Sequence, residues 1–303
     1  MNTSIHFPLT PSTTAACFGL ITLSTVLAGP LPPSLGDWSP IVRARAIPKA
    51  AQAGPEELPE LLKALDSDNS GLRRAATEVI PIIAKKNPPQ PSPEWQAISI
   101  KLVALLNTDP EFWVRCGAAS ALKAIQLEAS APALIKAAGD PNPWVAAAAV
   151  EAISDMPVKF FDSQQYLATA VHSLSAPRST TRSSAIAMIG RLGDDGKKAL
   201  PQVEVSIGTL AQDSMFADKP RIEAIIWIAR FDKQKAATLA NGLLLEERWG
   251  SSGRYLRLLP FLESLGADAA PATEGLRAVT KETGPKNKPH AAKANKILAK
   301  LKS

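Results

Sequence analysis

The sequence predicts an all-α fold, an α–α superhelix or solenoid of about seven paired-helix repeats. Three observations predict it. Apolar residues recur at helical spacing almost everywhere after residue 40. Prolines able to open a helix return at a nearly constant interval. Between them recurs a turn followed by an apolar–Arg step.

The elements follow in order from the amino terminus. Residues 1–28 contain no Lys, Arg, Asp or Glu, and 15–28 (AACFGLITLSTVLA) form an apolar run of signal-peptide length, shorter than a comfortable membrane span. Val26-Leu27-Ala28 puts small residues where a signal peptidase reads them, and Gly29-Pro30 breaks the chain. The reading favoured is a leader at 1–28, cleaved after Ala28, and an exported (periplasmic or extracellular) mature chain at 29–303. The alternative is a first apolar helix packed on the repeats, in a protein that stays cytoplasmic. Thr14-Ala15-Ala16-Cys17 is a poor lipoprotein site, because the apolar run continues past the cysteine. No later segment reaches transmembrane length.

From Leu58 onward the helices come in pairs. Leu58, Leu61, Leu62 and Leu65 fall on one helix face, as do Leu167, Ala170, Val171 and Leu174, and Ile222, Ile225, Ile226 and Ala229. First helices open with Pro59, Pro132, Pro201 and Pro271, spaced 73, 69 and 70 residues apart. Proline suits a first helical turn, where its missing N–H had no partner anyway. The spacing corresponds to two repeats of about 35 residues. Second helices follow Asp68…Leu72-Arg73, Asp109-Pro110…Val114-Arg115 and Asp140-Pro141…Trp144-Val145, with an earlier copy at Asp37…Val42-Arg43. Degenerate copies occur at Thr181-Arg182 and Pro220-Arg221. Asp suits these turns because its carboxylate can cap the next helix. Residues 87–93 (NPPQPSP) read as a loop insertion.

DPEFWVRCGAASALKAI and DPNPWVAAAAVEAISDM resemble HEAT repeats, particularly the short PBS-lyase-type repeats, and LGDDGKKALPQV and LGADAAPATEGL resemble the linker between them. The resemblance runs from about Asp37 to Leu301. It implies an Asp-to-Arg ladder tying neighbouring repeats, broken once where Ala146 stands at the Arg position. It also implies that second helices line a concave surface. Residues 37–54 resemble an isolated second helix, an amino-terminal cap. The Lys-rich segment 286–303 has the polar outer face a terminal repeat needs.

The net charge of +6 sits in the last segment: from Thr273 to Ser303 there are eight basic residues and two acids. The body of the chain is balanced, whereas a nucleic-acid groove would spread basic residues along the array. Two cysteines, Cys17 and Cys116, allow no disulfide framework in the mature chain and no zinc cluster. The histidines, His6, His172 and His290, have no metal-ligand spacing. Gly196-Lys197 lacks the rest of a phosphate-binding loop, and no nucleophile elbow occurs. Paired acids such as Asp194-Asp195 read as solvated caps. The expectation is therefore a protein that is not an enzyme and holds no cofactor and no metal.

Trp113 and Trp144 hold the same repeat position, so they should lie one repeat apart on one face. With Arg115 and Arg182 they form the candidate partner-binding set, since Trp and Arg dominate interface hot spots. The alternative makes Arg115 a ladder residue and lets each Trp cover its own turn. Three functions remain: a scaffold for a protein partner, a nucleic-acid-binding helical repeat of the HEAT-like DNA glycosylase type (supported by the pI of 9.3 and six Trp), and a bilin lyase-type subunit, suggested only by the repeat subtype. The first is favoured, and nucleic acid is the unlikely partner.

Overall fold

The computed structural model describes residues 47, 54–89, 92–209, 218–246, 252–282, 284 and 287–301. The leader at 1–28 and nearly all of the amino-terminal cap at 37–54, with Arg43, lie outside the described residues.

Among these residues every regular element is helical. Seven helix pairs follow one another: α1 (Leu58–Leu65) with α2 (Ser70–Lys86), α3 (Pro93–Thr108) with α4 (Phe112–Ile125), α5 (Ala131–Ala137) with α6 (Pro143–Asp155), and α7 (Ser163–Ser173) with α8 (Ser179–Arg191). Then come α9 (Leu200–Thr209) with α10 (Asp218–Ile228), α11 (Lys233–Leu245) with α12 (Ser252–Leu265), and α13 (Thr273–Thr280) with α14 (Lys288–Lys300). Each first helix packs on its own second helix. The second helices α2, α4, α6, α8, α10, α12 and α14 also pack in unbroken succession, and α1, α3, α5 and α7 form a parallel outer row. The molecule is an all-α solenoid.

Local chemistry sets the boundaries. Pro59, Pro132 and Pro201 stand in the first turns of α1, α5 and α9. Pro271 departs from the expected position: it lies in the 3-10 segment Gly266–Ala272, two residues before α13 begins. That segment runs directly into α13, so proline's fixed φ fits either side of the boundary. Asn69 caps α2 by accepting from Gly71 and Leu72 N–H, and Asn142 caps α6 by accepting from Trp144 N–H. The turn aspartates Asp109 and Asp140 do not cap helices as expected. Each accepts the N–H two residues on, from Glu111 and Asn142, which folds the turn itself.

Helix ends reuse one device. After α8 and α12 the chain turns through Gly193 (φ 58°) and Gly266 (φ 59°), in the left-handed region glycine favours. These are the glycines of the two LG linkers, and each opens a 3-10 segment, Gly193–Ala199 or Gly266–Ala272. After α4 the same conformation falls to Gln126 (φ 55°), a side chain that pays for it in strain.

One continuous core runs along the array, from Leu58 through Leu122, Ile153 and Ile225 to Ile297. Alanine dominates where second helices meet. Ala75, Ala76, Ala118, Ala119, Ala149 and Ala185 are 0% exposed, which lets the helices approach closely. Gly117 marks the tightest approach, since a Cβ there would collide with the Thr77 side chain on α2. At the carboxyl end Lys293, Lys296 and Lys300 of α14 converge on Glu263 of α12, at 3.4, 3.5 and 3.2 Å. Hydrogen bonds from Lys300 and Lys293 hold the Glu263 carboxyl below its ordinary range.

Candidate interaction face

The ladder the repeats imply is present and makes two kinds of contact at each rung. Arg73 of α2 donates from Nε and Nη2 to Asp109 of the next repeat, at 2.7 and 3.1 Å. Its Nη1 donates to the carbonyls of Ser67 and Asp68 in its own turn. Arg115 of α4 repeats this, with 2.9 and 3.1 Å bonds to Asp140 and Nη1 on the carbonyls of Asp109 and Pro110. The planar guanidinium thus ties two repeats together and closes a turn, which a lysine could not do. The Asp109 hydrogen bond raises the Arg73 pKa, and that of Asp140 raises the Arg115 pKa, so both stay charged.

Two further rungs differ from the first two. Arg221 of α10 reaches forward to Glu246, a glutamate where the first two rungs have an aspartate, and lies 3.9 Å from Asp218 at the start of its own helix. Arg254 of α12, fully buried, points backward to Asp218 with 2.9 and 3.2 Å bonds. Sequence reading missed Arg254, because Gly253 precedes it where other copies carry an apolar residue, Thr or Pro.

Between α6 and α8 both halves of a rung are absent. Ala146 replaces the arginine, and Ala176 stands where the next turn would carry the aspartate, six residues before Arg182 as Asp109 is before Arg115. The paired loss leaves no buried charge uncompensated. Arg182 closes its own turn in the same way: Nη1 donates to the carbonyls of Ala176 and Pro177 at 2.8 and 2.9 Å.

The four candidate residues therefore divide. Arg115 is a ladder residue, bonded inside the fold. Arg182 is 1% exposed and offers no surface. Trp113 and Trp144 do reach solvent, at 44% and 50% exposure. Each has one ring face covered by an arginine from a neighbouring repeat. Arg74 of α2 lies 4.8 Å from the Trp113 ring centre, and Arg178 at the head of α8 lies 3.9 Å from that of Trp144. Phe112 braces Trp113 from the side, ring centres 4.1 Å apart. Cys116 sits one turn beyond Trp113, half-buried; burial pushes its thiol up to about 11, so it stays protonated and unreactive at neutral pH.

Further along the same face, a groove of about 770 Å³ opens between α6, α8 and α10. Its wall includes Arg178, Ser183 and Trp227, none of which the sequence reading selected. Among the described residues no group of three or more His, Cys, Asp and Glu is placed to hold a metal. No helix there is long and apolar enough to cross a membrane.

Residues 100–159 match the family model for HEAT repeats, a stretch that contains both exposed tryptophans and the Arg115–Asp140 rung. No curated protein matches the chain. Among solved structures, an engineered protein is similar over 86% of this chain and 74% of its own, with 19% identity and a TM-score of 0.50. The complex of CpcE and CpcF of phycocyanin lyase from Nostoc sp. matches over 80% of this chain and 94% of that one, with 15% identity and a TM-score of 0.45. A second engineered protein matches over 81% and 98%, with 18% identity and a TM-score of 0.43. The 19% likeness is one of fold alone. The chain thus carries HEAT repeats at 100–159, within an all-α solenoid whose helix pairs continue the same build on either side.

Proposed function

We propose that this protein is a non-catalytic scaffold, exported through a leader at 1–28, that binds a protein partner along the second-helix face. The observation carrying this reading is the pair of half-exposed tryptophans at one repeat position, each pinned by an arginine from a neighbouring repeat. A clamped indole loses little freedom when a partner covers its open face, and such rigid aromatic anchors dominate interface energies. The ladder arginines serve the array by holding that face in register.

The test is crosslinking and co-purification from the native host. Wild type is compared with Trp113→Ala, Trp144→Ala, and an outer-row control, Ile100→Ala, 64% exposed on α3. Each tryptophan variant should weaken partner binding by about 2 kcal/mol, as hot spots do, while the control leaves it unchanged. Equal recovery in all four, or a salt-dependent shift with duplex DNA that the tryptophan variants abolish, overturns the reading.

A further inference from the structure

We infer that the groove between α6, α8 and α10 binds an extended acidic peptide through its carboxylates. This rests on reading the second-helix face as a protein-binding surface, and it assigns the chemistry of what binds there.

Three polar atoms in the groove wall are shielded from solvent and make no hydrogen bond: Arg178 Nε, Ser183 Oγ and Trp227 Nε1. Buried polar atoms in folded proteins almost always have partners, so three in one groove signal a missing one. All three can donate, and two can only donate. What completes the groove is therefore an acceptor. Trp227 is 5% exposed, so its N–H belongs to the floor rather than to a mobile surface chain. That N–H edge passes beside Gly190, where even a Cβ would lie 3.4 Å from Cδ1 and 3.8 Å from Nε1; the missing side chain keeps the approach open.

The charge balance points the same way. The groove carboxylates are already engaged. Glu151 and Asp155 share Lys123, at 2.9 and 2.7 Å, and Glu223 lies 3.9 Å from Lys219. Two guanidinium groups are left over. Among the described residues Arg178 makes no hydrogen bond or ion pair and its guanidinium lies over Trp144, and Arg230 donates to the Gly190 carbonyl at 3.1 Å. With Lys123 counted, the groove holds four basic side chains against three carboxylates, a surplus of one positive charge. The Trp144 contact holds the Arg178 guanidinium in place in advance, leaving its fork free to bind a carboxylate. Arg178 stands at the junction where the rung is absent, with Ala at 146 and 176.

Fluorescence anisotropy at low ionic strength with a labelled oligoglutamate peptide tests this on the full chain, with oligoglutamine as the neutral probe and free glutarate as competitor. Oligoglutamate should bind, oligoglutamine should not, and glutarate should compete only weakly. Arg178→Gln should weaken binding at least about tenfold. Trp227→Phe, which keeps the ring but removes the N–H, and Ser183→Ala should each weaken it about threefold. Lys136→Gln, an equal charge loss on the outer helix α5, should leave it unchanged, and thermal melts verify that each variant is folded. Absence of oligoglutamate binding overturns the inference, as does binding that survives Arg178→Gln or falls equally in Lys136→Gln. Glutarate binding as tightly as the peptide makes this a small-acid site and overturns the peptide assignment. Loss of the native partner in the Trp113 and Trp144 variants without any oligoglutamate binding removes this inference and leaves the scaffold reading. Oligoglutamate binding lost in Arg178→Gln, with a native partner indifferent to both tryptophans, does the opposite.

Discussion

The junctions α4–α6 and α6–α8 join helices of the same kind by different means. At the first, Arg115 reaches across to Asp140, and alanines fill the space beneath. At the second the alanine packing remains, the ion pair is gone, and an arginine two residues after the vacated aspartate position sits 3.9 Å from the centre of the Trp144 ring instead. Apolar packing is thus enough to stack two repeats, and the rung adds register and turn closure on top of it. Where the rung is omitted, a guanidinium and a stretch of helix face become free for something else. One repeat architecture can carry both a bridged and an unbridged junction, and a pair of alanines tells them apart.

Breaking the rung at the first junction should have the largest effect. Arg115→Ala leaves Asp140, whose side chain is 11% exposed, without its counter-charge, and should cost about 3 kcal/mol in urea unfolding. The double variant Arg115→Ala/Asp140→Ala copies the second junction and should be clearly less destabilised than Arg115→Ala alone. A double variant as unstable as the sum of the singles would contradict the account of paired loss.

The tryptophans come next. Half-exposed and arginine-clamped, Trp144→Ala should cost about 1–2 kcal/mol, below the 3–5 kcal/mol typical of a fully buried aromatic. A loss at the buried level in thermal melts would make Trp144 a core residue and close the open face.

Building a rung at the second junction sharpens the comparison from the other side. Ala146→Arg and Ala176→Asp should each destabilise alone, and a double-mutant cycle should return a favourable coupling of about 1 kcal/mol. A similar gain is expected at Gln126→Gly, about 1 kcal/mol, because glycine adopts the left-handed turn after α4 without strain, as Gly193 and Gly266 already do after α8 and α12.

The smallest effect is at the carboxyl end and depends on pH. The lysines lower the folded pKa of Glu263 below its unfolded value. Its contribution is therefore fully present above the ordinary carboxylate pKa and is lost as pH falls through the lowered, folded value. Thermal melts of Glu263→Gln should show a deficit against wild type at neutral pH that closes in acid, and a deficit independent of pH would remove the lysine cluster as its cause.

The paired helices were legible because the first-turn prolines and the apolar periodicity are local signals, written within one helix each. The rungs at Arg73 and Arg115 were legible as a motif, because the turn aspartate and the arginine recur six residues apart in the second of them and nearly so in the first. Arg254 was not, since Arg248 and Trp249 stand six and five residues before it, where the other two carry an aspartate, and Gly253 fills the apolar position. The groove was not legible either. Trp227 lies near the end of its helix whereas Trp113 and Trp144 lie near the start of theirs, so no repeat position links them. Only folding brings Arg178, Ser183 and Trp227 to one wall. The exposure of the tryptophans, which separates them from Arg182, likewise depends on how α4, α6 and α8 stack.

The three lysines on Glu263 have a consequence for self-association. A solenoid whose last helix exposed an apolar stripe would offer a docking step to the start of another copy. Such head-to-tail contacts do not close on themselves and lengthen into filaments. Here α14 turns Ala294 and Ile297 inward and carries Lys293, Lys296 and Lys300 against a single carboxylate, so the terminus bears surplus positive charge. An incoming copy would have to strip water from those ammonium groups before any apolar surface could meet. The cluster therefore opposes docking of a second copy against α14.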